Sequence, residues 1–256
     1  MSNCIVIKCG GSSIDELSAQ FFHNIKALKK VGIQPIIVHG GGPAIKEMLN
    51  KLKIEFEFID GLRKTTEEMM DIVEMVLTGN VNPALTRRVH EYGIDALGVA
   101  NVLKATPIDV EKYGYVGDVT DVHVETIERL LHFNIVPVVS PVAIGEDGKT
   151  YNVNADTAAA AVAAKMNAQQ LIFVTDVPGI LKDDKLLNKV TEEEINALID
   201  DGTIYGGMIP KVKAALASLT IVDEAMIVSG IDSQLEDETS LKGTTIIAST
   251  RAEMNV

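Results

Sequence analysis

The chain's 256 residues suffice for one large α/β domain or two small lobes. Its 36 acidic and 23 basic residues give a formal charge of −13, and no Lys/Arg cluster marks a basic face, which argues against a nucleic-acid partner. Aliphatic residues dominate, aromatics make up only 4% and Trp is absent, a composition suited to buried parallel strands covered by helices; no apolar run approaches the roughly 18 residues of a membrane span.

The pattern opens on an apolar strand over 3–8, with no basic or apolar leader ahead of it, so a soluble cytoplasmic protein is expected. Cys4 and Cys9 stand an odd number of positions apart in this strand and face opposite sides, so they cannot bridge each other. Two such thiols and no metal-ligand spacing fit a reducing compartment. Gly10-Gly11-Ser12-Ser13 follows, then a helical pattern of Leu17, Phe21, Phe22, Ile25 and Leu28. A second strand, 34–39, runs into Gly40-Gly41-Gly42 and a helix carrying Ile45, Met48, Leu49 and Leu52. Strand, glycine turn, helix, twice over, is the signature of a parallel sheet.

Helices are expected over 66–77 and 82–92, and short strand-like pieces over 95–122. A helix at 123–133 leads to a strand at 135–139, and 142–153 reads as a hairpin turning at 146–149. Asn154 caps an Ala-rich helix over 155–166. The remainder alternates again: strand 170–175, helices 192–199 and 209–219, strand 224–228. A soft boundary falls near residue 168, with one sheet expected to run through both lobes.

Two familiar nucleotide motifs fail on spacing. Gly148-Lys149-Thr150 mimics the end of a phosphate loop, but Ala143 stands where the first glycine must be; Gly40 and Gly42 could begin a dinucleotide fingerprint, but its third glycine would be Ile45. What remains is two glycine clusters, each between the C-terminal end of a strand and a helix N-terminus. Exposed N–H groups and the positive end of the helix dipole gather there, and glycine lets an anion approach the backbone. Lys8, beside the first cluster, adds an ammonium.

In order along the chain stand Lys8-Cys-Gly-Gly-Ser, His39-Gly-Gly-Gly, Gly61-Leu-Arg63, Asn152-Val-Asn-Ala-Asp156, Thr175-Asp-Val-Pro-Gly-Ile180 and Gly207-Met-Ile-Pro-Lys211. This set resembles the amino acid kinase family over essentially the whole chain, and the Gly-Leu-Arg and Asn-Val-Asn-Ala-Asp elements point to its branch that acts on N-acetylglutamate. The resemblance implies an α/β fold, a three-layer αβα sandwich around a mainly parallel sheet. Residues 1–168 would bind the acyl substrate and form a dimer, and residues 169–256 would bind ATP. It implies phosphorylation of the γ-carboxylate of N-acetyl-L-glutamate by ATP, a step of arginine biosynthesis, with Mg²⁺ held mainly by the phosphates.

Position by position, Lys8 and Lys211 would contact the phosphoryl group in flight and Asp156 would hold both lysines. Gly10 and Gly11 would line the phosphate path. Gly41, Gly42, Arg63 and Asn152 would bind the acid, with Arg63 on its α-carboxylate. Thr175, Asp176, Gly179, Gly207 and Met208 would border ATP. The chemistry agrees: phosphoryl transfer relies on positioned cations, and an acceptor carboxylate with a pKa near ~4.3 needs no general base. His39, the one histidine inside a motif, is read as structural. Cys9 departs from the larger apolar residue usual in the family, and the acidic stretch 229–241 lacks basic residues that some relatives carry. The family's N-terminal helical arm, found in arginine-inhibited hexameric relatives, is not seen ahead of the first strand, so a homodimer insensitive to arginine is expected. The alternatives are kinases of N-acetyl-aminoadipate, aspartate or carbamate on the same fold, or a non-catalytic regulatory relative.

Overall fold

Alternation of apolar residues in the first strand, β1 (Cys4–Cys9), decides how the molecule is layered. In the computed structural model, which describes residues 3–11, 14, 16–220, 222 and 224–248, Cys4 and Val6 enter one buried cluster while Ile5, Ile7 and Cys9 enter another on the opposite face. The two cysteines form no disulfide with each other, as their spacing requires, and burial pushes the Cys9 thiol up to about 12, leaving it as packing material rather than a nucleophile. Ser12 and Ser13 of the first glycine turn lie outside the described residues.

The chain continues through α1 (Ala19–Lys30), β2 (Gln34–His39) and α2 (Gly42–Lys51), then a two-stranded hairpin, β3 (Phe58–Ile59) and β4 (Leu62–Arg63). Thr66 caps α3 (Glu67–Glu74) by accepting from the Met69 N–H. The sequence pattern suggests a break between this helix and the next. Instead, a π-helical segment, Met75–Val81, joins it directly to α4 (Asn82–Glu91). Next come β5 (Ala96–Val99), β6 (Leu103–Pro107), α5 (Val110–Tyr113), β7 (Val116–Val122), α6 (Val124–His132), β8 (Val136–Val139), and the expected hairpin of β9 (Val142–Ile144) and β10 (Thr150–Val153). Asn154 caps α7 (Ala155–Lys165) through the N–H groups of Asp156 and Thr157. The last part holds β11 (Gln170–Thr175), a small hairpin of β12 (Leu181–Lys182) and β13 (Lys185–Leu186), and β14 (Lys189–Thr191). It closes with α8 (Glu192–Asp200), α9 (Met208–Ser218), β15 (Glu224–Ser229) and β16 (Gly243–Ile247).

Eight strands form one sheet in the order β14-β16-β15-β11-β1-β2-β8-β5, parallel throughout except where β16 runs against β15. The sheet crosses residue 168 without interruption, because β1 pairs with both β2 and β11. Strands β6, β7, β9 and β10 close into a small barrel beside it. Strand β16 and the two small hairpins are absent from the sequence reading; each is too short, or too polar, to show a period of its own.

Just before the second glycine turn, His39 is completely buried. Its Nδ1 lies 2.7 Å from the Gly40 carbonyl oxygen and its Nε2 lies 3.2 Å from Ser140 Oγ and 3.1 Å from Asn82 Nδ2. Asn82 also donates to the Val138 carbonyl at 2.7 Å, so one polar knot ties the ends of β2 and β8 to the start of α4. Burial drives the imidazole down to about 4, so it stays neutral and structural. The unfolded chain, with a histidine near ~6.5, therefore binds a proton that the folded chain refuses, and the stability contributed here is present above that value and lost as pH falls toward 4. Between pH 7 and 4, denaturant unfolding should show the wild type losing about 3 kcal/mol more than a His39→Asn variant; parallel pH profiles would refute the assignment.

Candidate active site

Lys8 lies near the C-terminal end of β1, on the face that packs against α7. Asp156 stands in the first turn of that helix, where a carboxylate is favoured by the dipole, and its Oδ1 lies 2.8 Å from Lys8 Nζ. The pair is close but out of line for a directed hydrogen bond.

The two glycine turns at the ends of the paired strands β1 and β2 press on each other. A Cβ on Gly11 would come within 2.7 Å of the Gly41 nitrogen and 2.9 Å of the Gly42 nitrogen; one on Gly41 would overlap Leu77 Cδ2 at 2.3 Å. Leu77 projects from the π-helical segment, so that irregular turn helps to shape the site, as such turns often do.

Arg63, on β4, is only 8% exposed. Its guanidinium lies over both the Phe56 and Phe58 rings, at 4.8 and 4.7 Å, in the corner these two edge-to-face rings make, and Nη2 donates to the Gly42 carbonyl at 3.2 Å. Nη1 is buried with no hydrogen-bond partner. Desolvation by burial lowers the guanidinium from its ordinary value. Asn152 donates to Thr65 Oγ1 at 3.1 Å, and Thr65 donates to the Arg63 carbonyl at 2.8 Å, so these two sites are braced together.

Lys8, Gly10, Gly11, Gly41, Gly42, Arg63, Asn152 and Asp156 all line one cavity of about 680 Å³. Lys211, Thr175, Asp176, Gly179, Gly207 and Met208 lie outside it. Lys211, in the first turns of α9, is ion-paired with Asp176 at the end of β11, and this contact holds the Asp176 carboxyl below its usual range. The expected double link through Asp156 is therefore only half formed: Asp156 holds Lys8, and Asp176 holds Lys211. A second cleft of about 410 Å³, lined by Asp156 and Ala160 of α7 and by Pro210 and Ala214 of α9, opens on this side. Thr175 is buried with its hydroxyl donating to the Val177 carbonyl at 2.9 Å, and Gly179 packs against Thr244, whose Oγ1 accepts from the Ile180 N–H at 2.8 Å. Gly207 caps α9 and Met208 begins it.

Residue patterns alone missed Phe56 and Phe58, whose role appears only when the hairpin folds over Arg63. They also missed Arg88 of α4, which donates to the carbonyls of Ile14 and Leu17 (2.5 Å to the latter) and so clamps the segment leaving the first glycine turn. A helical arginine five positions before a glycine gives no hint of that reach.

The sequence profile of the amino acid kinase family matches residues 3–229. The chain belongs to the amino acid kinase family. Acetylglutamate kinase of Geobacillus thermodenitrificans is 49% identical to it, over 96% of this chain and 97% of that one. The Geobacillus stearothermophilus acetylglutamate kinase is 52% identical over 90% and 91%. Among solved structures, the Streptococcus mutans protein smu.665 superposes with a TM-score of 0.82 at 32% identity, covering 96% of this chain and 99% of that one. Giardia carbamate kinase, at 18% identity and a TM-score of 0.66 over 96% and 98%, shares the fold. Mainly parallel sheet and covering helices are thus those of an amino acid kinase, an α/β enzyme. Among the described residues no helix is long and apolar enough to cross a membrane.

In this kinase Arg63→Gln should raise the KM of an acidic acceptor by about ten- to a hundredfold, the scale of one or two charged hydrogen bonds. Turnover at saturation should change little. Steady-state kinetics with the acid varied would test this, and an unchanged KM would remove Arg63 from the binding site.

Proposed function

We propose that this kinase transfers the γ-phosphoryl group of ATP to the γ-carboxylate of N-acetyl-L-glutamate, producing N-acetyl-L-glutamyl 5-phosphate for arginine biosynthesis. The observation that carries the reading is a buried guanidinium with a free Nη1 in the same cavity as an ion-paired lysine and two interlocked glycine turns. A dicarboxylic acid needs both features: a planar cationic fork for the carboxylate that does not react, and a cationic, anion-accepting region where the other meets a phosphate.

In the reaction a γ-carboxylate oxygen forms a bond to the γ-phosphorus as the bond to the β,γ-bridging oxygen breaks, and ADP leaves with that electron pair. The carboxylate is already ionised at neutral pH, so no side chain has to remove a proton. The protein must instead suppress repulsion between two anions. Arg63, braced through Thr65 and Asn152, fixes the acid; Lys8, steadied by Asp156, offers its ammonium to the transferring oxygens. The backbone N–H groups of the glycine turns approach the phosphates closely because no Cβ intervenes. Lys211 completes the clamp after exchanging Asp176 for phosphate oxygens. Magnesium, which supplies further charge neutralisation when bound, is expected on the triphosphate, since Asp156 and Asp176 are each already neutralised by a lysine.

The division of labour at residue 168 belongs to the same reading. Every residue lining the larger cavity falls between Lys8 and Asp156, which supports an acid-binding first lobe, while Asp176, Gly179, Gly207, Met208 and Lys211 follow the boundary and suit a nucleotide-binding second lobe. A homodimer is part of it too, supported by Leu97, half exposed on the edge strand β5.

Hydroxylamine trapping with MgATP and a panel of N-acetylglutamate, N-acetyl-aminoadipate, glutamate and aspartate should give hydroxamate selectively from the first. Selectivity for another acid would correct the pocket, and no product from any would overturn kinase activity toward these acids. Lys8→Ala and Lys211→Ala should each lower kcat by about 10²–10⁴, as loss of one transition-state cation does elsewhere; wild-type turnover in a folded Lys211→Ala variant would sink the mechanism.

A further inference from the structure

Besides Lys8 and Arg63, the larger cavity has one more cation on its wall, Lys46 of α2. Asp156 is the sole acid among the described lining residues, and it is engaged by Lys8. Lys46 has no ion-pair partner among the described residues; the neighbouring acid, Glu47, is taken by Lys51 at 2.6 Å. Residue 46 lies one turn beyond Gly42, the first residue of the helix, so both occupy the same helical face. Helical side chains lean back toward the N-terminus, which carries the Lys46 stem toward Gly42. Gly42 is where Arg63 is anchored, its carbonyl accepting from Nη2 at 3.2 Å.

We propose that Lys46 is a substrate-binding residue, a second cation that pairs with the α-carboxylate of the acid beside Arg63 and tunes affinity for a doubly charged acceptor. This rests on the reading of N-acetyl-L-glutamate as acceptor. Arg63 supplies the fixed, desolvated contact; Lys46, solvent-exposed at the rim, supplies a mobile charge that draws the dianion in.

The test is steady-state kinetics of wild type, Lys46→Gln and Lys46→Arg with N-acetyl-L-glutamate and with its α-carboxamide, which keeps the reacting γ-carboxylate but lacks the α charge. Lys46→Gln should raise the KM for N-acetyl-L-glutamate about three- to tenfold, as expected for an exposed ion pair in a partly screened site. Its KM for ATP and its kcat at saturating acid should stay within about twofold, and its kcat/KM should depend less on salt than that of wild type. Lys46→Arg should restore the wild-type KM, and the carboxamide should not distinguish wild type from Lys46→Gln. An unchanged KM for the acid, an equal rise with the carboxamide, or a rise confined to ATP would overturn the assignment. A wild type that fails to turn over N-acetyl-L-glutamate would remove the acceptor reading, and Lys46's role with it; turnover with no Lys46 effect would remove only the latter.

Discussion

The contact between the two glycine turns is the constraint on which the site depends. Strands β1 and β2 run parallel and in register, with Cys9 opposite His39, so their C-terminal ends deliver both turns to one place. There Gly11 meets the backbone of Gly41 and Gly42 at distances that no Cβ allows. That closeness makes a single concave surface of backbone N–H groups from two separate loops. It also gathers onto that surface what each following element carries: α2 with Lys46, and the Gly42 carbonyl that receives Arg63.

Around this contact the protein holds its cations in distinct states. Lys8 is neutralised by Asp156 yet kept at the cavity wall, and Lys211 is neutralised by Asp176 outside it. Arg63 is buried, set in the corner of two edge-to-face aromatic rings and left with an open hydrogen-bonding position at Nη1. Such a buried guanidinium is costly without an anion, a cost consistent with the proposed role in binding an acid. The neighbouring histidine shows the opposite solution. His39 stays neutral through burial and serves only to tie β2, β8 and α4 together behind the turns.

Much of the fold was legible in the sequence because the signals are local. Apolar runs bounded by glycine, the Asn154 cap and the turn at 146–149 each depend on a few adjacent residues, and each element stands where its pattern puts it. The π-helical join at Met75–Val81 was not legible: the stretch around Gly79 reads as a break, whereas packing of Leu77 against Gly41 and the Thr150 hydroxyl's donation to Glu74 at 2.8 Å hold the turn in place. Strand β16 was not legible either, since it gains its ladder from β14 and β15 rather than from its own composition.

For the site the division is similar. Sequence by itself determined which residue types stand at strand ends and helix starts: lysine before a glycine turn, glycines before a helix, Asp156 in a first turn. Those are matters of backbone freedom and helix polarity, decided within a few residues. Only the tertiary structure decided the partners, joining Asp156 to Lys8 but Lys211 to Asp176, setting Arg63 against Phe56 and Phe58, and bringing Arg88 to the segment beyond Gly11. These pairings join groups many residues apart, and their energies depend on distance and desolvation, which exist only once the chain has folded.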